Sequence, residues 1–179
     1  MKDPDTDLVR RVALRDDRKA FAELVKRHQS GLRNFLRRLT KTNDGRAEEL
    51  AQEAFVKAYR SIRSFKGTSK FSSWLYRIGY RLFLNDIRRE KTTVPIESVA
   101  HQVETRAVSR PCSEFSIDLE DALLSLSVEE RAVFDLHYKK GFTHEEVADA
   151  LEIPLGTAKS HLLRGRNQLR NLLKDWRKS

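Results

Sequence analysis

Apolar residues in this 179-residue sequence return at intervals of three and four almost throughout, and no alternating run of β-branched residues bounded by turn dipeptides appears. Helices satisfy that spacing and strands do not, so the pattern predicts an all-α fold. The series Phe21, Leu24, Val25, His28, Leu32, Phe35, Leu36 and Leu39 traces one buried helical stripe, preceded by a short helix around Leu8, Val9, Val12 and Ala13. After the turn at 42–45, Leu50, Ala51, Ala54, Phe55, Ala58 and Ile62 mark a further helix, which ends near Gly67. A fourth begins near Phe71, with Trp74, Leu75, Ile78, Leu82, Phe83 and Ile87 as its inner face. Four such elements can close one core.

Between about 92 and 116 the rhythm fails, in a stretch containing Pro95, Pro111 and scattered Ser and Thr. This reads as a flexible linker. Helical spacing resumes at Ile117, so the chain divides into a domain at 1–91, a linker at 92–116 and a second small helical domain at 117–179. Two capping boxes, Ser127-Val128-Glu129-Glu130 and Thr143-His144-Glu145-Glu146, mark helix starts, because a hydroxyl and a Glu three residues later satisfy orphan amides. Gly141 stands where a left-handed residue would end the helix before the second box.

Charge narrows the class of partner. Lys and Arg number 35 against 26 Asp and Glu, a formal net charge of +9, which favours a polyanionic partner such as nucleic acid or an anionic membrane surface. The first residues lack the apolar core of a secretory leader, and no apolar run approaches the ~20 residues of a membrane span, so the expected location is the cytoplasm with no membrane insertion. A single cysteine, Cys112, cannot make an internal disulfide. His28, His101, His137, His144 and His161 lack zinc-ligand spacing, and no phosphate loop, nucleophile elbow or paired carboxylates appear. We therefore expect no metal, no cofactor and no catalytic activity. Asp86 alone is insufficient for a metal nuclease, and His28 reads as a helix-interface residue.

In the second domain, a helix over 143–151 with Val147, Ala148 and Leu151 inward is followed by Glu152-Ile153 and by Pro154, which can open another helix. That is helix-turn-helix spacing, with small Ala148 allowing a close crossing and Ile153 filling the gap. From 128 to 153 there are seven acidic residues (129, 130, 135, 145, 146, 149, 152) and three basic ones (131, 139, 140). From 154 to 179 there are seven basic residues (159, 164, 166, 170, 174, 177, 178) and one acidic (175). Thr157, Lys159, Ser160, Leu163 and Arg164 can then face base edges in a major groove, with Arg166 and Arg170 on phosphates. A helical hairpin with a solvated basic face fits the same pattern.

In the first domain, Asp44, Glu48, Glu49, Gln52 and Glu53 form an acidic and amide ridge suited to a basic protein surface, or simply favourable charge at a helix start. From 60 to 91 nine basic residues (60, 63, 66, 70, 77, 81, 88, 89, 91) face two acidic ones (86, 90), interleaved with Phe65, Phe71, Trp74, Tyr76 and Tyr80. Cations that track phosphates beside rings that stack bases, at ~1–3 kcal/mol per base, suit single-stranded DNA. Phe71 and Trp74 also fit the apolar stripe as core, whereas Tyr80 and Arg81 lie off it.

Three strings, 126–134, 141–148 and 156–162, resemble the fourth conserved region of extracytoplasmic-function (ECF) sigma factors, and 44–53 and 71–86 resemble the second. The resemblance spans roughly 20–91 and 117–173. It implies a chain that binds core RNA polymerase through Asp44, Glu48, Glu49, Gln52 and Glu53. It implies melting and recognition of a downstream (−10) promoter strand by Phe65, Lys66, Lys70, Trp74, Arg77, Tyr80, Arg81, Asn85 and Arg88. It assigns duplex recognition at an upstream (−35) element to Thr157, Lys159, Ser160, Leu163, Arg164 and Arg166. In that family the loop 64–70 captures a flipped base, the linker threads the polymerase, and an anti-sigma protein is a common further partner. Two positions depart from the family: Arg81, where many relatives have Asn, and Glu152, where Gly is frequent. A one-piece helix-turn-helix regulator and a catalytic nucleic-acid enzyme are the competing classes. The first predicts tight duplex binding by the chain alone, the second metal-dependent turnover.

Overall fold

The computed structural model describes residues 3–41, 43–93 and 122–172, and every regular element in them is helical. The expected linker lies outside the described residues from Val94 onward, as do Cys112, His101 and residues 173–179. Helix α1 spans Thr6–Arg15, α2 Arg18–Leu39, α3 Asp44–Ser61 and α4 Phe71–Thr93, with a 3-10 turn Ile62–Ser64 before the loop to α4. Residues 122–124 are helical, and α5 (Val128–Phe134), a π-helical turn (Asp135–Lys139), α6 (His144–Leu151) and α7 (Leu155–Leu172) follow. α4 continues two residues past the boundary expected at 91, because Thr92 and Thr93 remain in its last turn.

Local chemistry sets these boundaries. The Asp17 carboxylate accepts from Ala20 N at 3.0 Å and the Asn43 side chain from Arg46 N at 3.0 Å, each satisfying an orphan amide at a helix start. Both expected capping boxes form, at Ser127 with Glu130 and at Thr143 with Glu146. Gly141 takes φ +70° beyond the π turn, where a side chain would be strained.

The first four helices pack their stripes as the spacing anticipates, with Leu24, Leu32, Phe35, Leu36, Leu50, Ala54, Phe71 and Leu75 buried at the centre. The N-terminal segment is tied across them. Asp5 is buried and binds His28 Nε2 at 2.6 Å and Arg27 at 3.1 Å, and the Asp3 carboxylate accepts from Phe71 N at the start of α4. His28 also packs its ring on Phe71, which makes it the helix-interface residue expected of it.

In the C-terminal part α6 and α7 form the helix-turn-helix, with α5 behind them. Ala150 and Ala158 are buried, and Ala148 is half-buried and packed against the same core. Gly165 on α7 faces Leu126 and Glu130, where a Cβ would stand at an ordinary contact distance of 3.6 Å from Leu126. Pro154 precedes α7 and its carbonyl receives Ala158 N, so the helix proper opens at Leu155.

The two helical domains pack on one another: a single buried apolar cluster runs from α1–α4 into Ala132, Val133, Leu136, Phe142, Val147, Ala150 and Leu151. The Tyr76 and Phe142 rings meet edge to face at 5.5 Å, Arg38 pairs with Asp135 at 2.9 Å, and Arg131 donates to Arg38 O at 3.0 Å. α4 is consequently covered on two sides. Tyr76 and Tyr80 are buried along with Leu75, Leu82 and Phe83, and Trp74, Ile78 and Ile87 are only half-buried.

Candidate nucleic-acid interface

Three surfaces carry the residues singled out by the sequence. On α3, Asp44, Glu49, Gln52 and Glu53 are exposed and Glu48 is half-exposed. Helical periodicity puts 49, 52, 53 and 56 on one face, and Val56 there is 48% exposed. The acids are held from the side by bases: Arg37 by Asp44 at 3.6 Å, Arg33 by Glu48 at 3.4 Å, Arg46 by Glu49 at 2.6 Å and Lys57 by Glu53 at 3.1 Å. An ordered acidic ridge with an apolar residue at its end results.

The second surface is the loop before α4 and one face of α4. Phe65, Phe71 and Trp74 make a ring cluster, with centroids 5.1 Å apart for Phe65–Trp74 and 5.8 Å for Phe71–Trp74. This anchors the loop to the first turn of α4 and leaves Lys66 and Lys70 exposed beside it. Asn85 and Arg88 are exposed farther along. Asp86 points elsewhere, bound by Arg46 Nε at 2.7 Å.

On this surface the structure buries one of the expected residues and pairs three others with acids. Tyr80, read as lying off the apolar stripe, is 5% exposed, and burial pushes its hydroxyl pKa up to about 12. The ring stacks along Phe83 of the same helix, and the Glu129 carboxylate of the C-terminal half raises the hydroxyl further. The cations Lys70, Arg77 and Arg81 are likewise engaged. Lys70 Nζ lies 2.7 Å from Glu146, Arg77 pairs with the Asp149 carboxylate and donates from Nε to Asp149 O at 3.0 Å, and Arg81 Nε donates to Glu152 at 2.6 Å. The Arg81 hydrogen bond holds the Glu152 carboxyl below its ordinary range, and Glu152 in turn raises Arg81.

The sequence reading missed Glu146, Asp149 and Glu152 as partners of that face. Their signal was present as a three-residue period along α6, matched to bases at 70, 77 and 81 on α4. A period on each helix does not by itself show that the helices meet.

The third surface is the outward side of α7. Lys159, Ser160, Leu163, Arg164 and Arg166 are exposed and Thr157 is half-buried. Pro154, Gly156, Thr157, Ser160, Leu163 and Arg164 line one open groove. Leu163 leaves 51% of its surface to solvent, an apolar side chain between polar donors of the kind that can meet a thymine methyl. Ser160 Oγ donates to Gly156 O at 2.8 Å, and Arg164 reaches His161 Nδ1 at 3.2 Å and lies 3.7 Å from Glu130. Among the described residues no group of His, Cys, Asp or Glu is placed to hold a metal ion, and no helix is long and apolar enough to cross a membrane.

Comparison with known proteins places this arrangement. Residues 24–93 match the family Sigma-70 region 2, and residues 116–169 match Sigma-70, region 4. The ECF RNA polymerase sigma-E factor of Haemophilus influenzae is 34% identical, over 93% of this chain and 94% of that protein. The ECF RNA polymerase sigma factor SigW of Bacillus subtilis is 32% identical, over 89% and 91% respectively. Among solved structures, the sigma factor RpoE in complex with the anti-sigma factor NepR from Bartonella quintana superposes with a TM-score of 0.67 at 30% identity, over 87% of this chain and 98% of that one. CnrH, solved with the cytosolic domain of CnrY, shares the fold with a TM-score of 0.69 at 22% identity, over 96% and 97%. The order and reach of these matches, over helices whose geometry is that just described, show that the chain belongs to the ECF RNA polymerase sigma factors, which direct polymerase to promoters.

Proposed function

We propose that this sigma factor divides its work among the three surfaces. The α3 ridge of Asp44, Glu48, Glu49, Gln52 and Glu53 binds core RNA polymerase. The loop and α4 residues Phe65, Lys66, Lys70, Trp74, Arg77, Arg81, Asn85 and Arg88 hold the opened −10 strand, with buried Tyr80 supporting α4 from beneath in this closed form. The α7 residues Thr157, Lys159, Ser160, Leu163, Arg164 and Arg166 read duplex DNA at the −35 element. The domain limits are 1–91 and 117–179, with 92–116 joining them. The chain works in the cytoplasm, where its polymerase is, and performs no catalysis of its own; an anti-sigma protein is a further partner, as NepR is for its Bartonella relative.

The observation that carries this reading is that a basic, groove-lining α7 and a basic, aromatic α4 lie in one chain, in the order of regions 2 and 4. Direct readout by α7 and strand capture by α4 use different physics, hydrogen bonding to base edges in one case and stacking with phosphate neutralisation in the other. The test is in vitro transcription with purified core polymerase on a pool of promoters. Defined start sites should appear only when the chain is added, and K159A with R164A should weaken them by on the order of tenfold. Tight duplex binding without core enzyme, and no redirected start sites with it, would overturn the proposal in favour of a one-piece regulator.

A further inference from the structure

We propose that in the free chain the acidic face of α6 and its cap occupies the DNA-contacting face of α4 as an internal polyanion, so that strand capture requires displacing the C-terminal half. This rests on the reading of α4 as a single-strand surface. Glu146 and Asp149 on α6 and Glu152 at its cap recur every third residue and meet Lys70, which immediately precedes α4, and Arg77 and Arg81 along one side of α4. Every one of those three cations belongs to the set assigned to strand binding, and the pairs bridge positions more than 70 residues apart in sequence. Carboxylates in register with a basic helix face satisfy the charges a phosphate chain would otherwise satisfy.

The contact is more than a few surface pairs. On the adjoining side of α4 the Tyr76 ring packs on Phe142 at 5.5 Å, and Tyr80 is buried next to it. A base could not reach Tyr76 or Tyr80 while the cover is in place. The pairs are nevertheless partly open to water: Lys70 keeps 51% and Arg81 62% of its side-chain surface. Exposed pairs are weak and salt-labile, so exchange with a nucleic acid is within reach. The α7 groove does not include this face, which leaves duplex reading available while strand capture is blocked.

The test uses the full chain and a fluorescent single-stranded DNA of mixed sequence, about 20 nucleotides long, in low salt. The neutral variant E146Q/D149N/E152Q removes the anionic face; the side-chain amide that E146Q introduces can still complete the Thr143 capping box, so α6 should persist. We expect it to bind the DNA about tenfold more tightly than the unaltered chain, and the gain to vanish when R77Q and R81Q are added. A second measurement needs no variant. A carbodiimide should join Lys70 to Glu146 in the free chain, and saturating DNA should suppress that product. Equal affinity of the neutral variant and the unaltered chain, with cross-linking undiminished by DNA, would overturn the closure and leave the assignment of α4 intact. A gain that survives R77Q/R81Q would instead overturn the assignment of α4, since the DNA would then be held elsewhere.

Discussion

Asp135 is 2% exposed, and it sits where the two halves meet. Its carboxylate lies 2.9 Å from Arg38, yet neither oxygen makes a well-formed hydrogen bond. Burial is the largest influence on this group and raises its pKa above the ordinary 3.8, while Arg38, Lys140 and Lys139 pull the other way. The folded chain therefore holds this proton more tightly than the unfolded one. Stability from that protonation is fully present below 3.8 and is lost as pH rises through the elevated folded value. Asp135→Asn keeps the shape and removes the titration. We expect the unfolding free energy of the unaltered chain, relative to D135N, to fall as pH rises through this window and then level off, as read by denaturant titration at a series of pH values. A difference that rises with pH would mean that the Arg38 pair outweighs burial. Sequence inspection could count Asp135 among seven acids but could not distinguish it from Glu129 or Glu145, which are solvated. That difference comes from a neighbour about a hundred residues away in the chain.

Helices are where the sequence was most legible, because what bounds them is local. The stripe of α2, the cap at Thr143 and the left-handed Gly141 all depend on residues within one turn of each other. The π turn Asp135–Lys139 was not visible, and neither was the second buried side of α4, which exists only because α6 lies on it. Arg131 shows how elements are joined by something no periodicity reveals. Its guanidinium is 2% exposed and donates to Leu123 O at 3.1 Å, Leu124 O at 2.6 Å, Leu126 O at 2.8 Å and Arg38 O at 3.0 Å. Leu123 O also accepts from Leu126 N at 3.3 Å, and the other carbonyls belong to the turn before α5 and to the last turn of α2, where helix-end acceptors need outside donors. One planar fork thus closes two C-terminal helix ends, which an ammonium group cannot do with the same geometry. We expect Arg131→Lys to lower stability by about 2–3 kcal/mol, the cost of leaving buried carbonyls unpaired, measured as a shift in denaturant midpoint at unchanged slope. A loss under about 0.5 kcal/mol, in the range of ordinary surface substitutions, would show that water replaces the missing donors.

At the scale of the whole molecule, closure treats the three surfaces unequally, and that sets an order of events. α4 is covered, while the α3 ridge is open: the Glu49 side chain is 68% exposed, Glu53 52% and Val56 48%. A basic partner can reach the ridge without any movement of the C-terminal half. Under the proposed division of work, core polymerase therefore engages the closed chain first, and α4 is released afterwards. This separates two variants that a rigid molecule would not separate. Glu49→Lys with Glu53→Lys should weaken capture of the chain by purified core polymerase by on the order of tenfold, and should leave the Lys70–Glu146 cross-link in the free chain unchanged. The neutral E146Q/D149N/E152Q chain should show the reverse, with polymerase capture near that of the unaltered chain and single-strand binding enhanced. Anisotropy titration with core enzyme and with single-stranded DNA reads both quantities on the same samples. If neutralising α6 strengthened polymerase capture as much as DNA binding, opening would have to precede docking, because the differential affinity of a partner for the open form is what shifts that equilibrium.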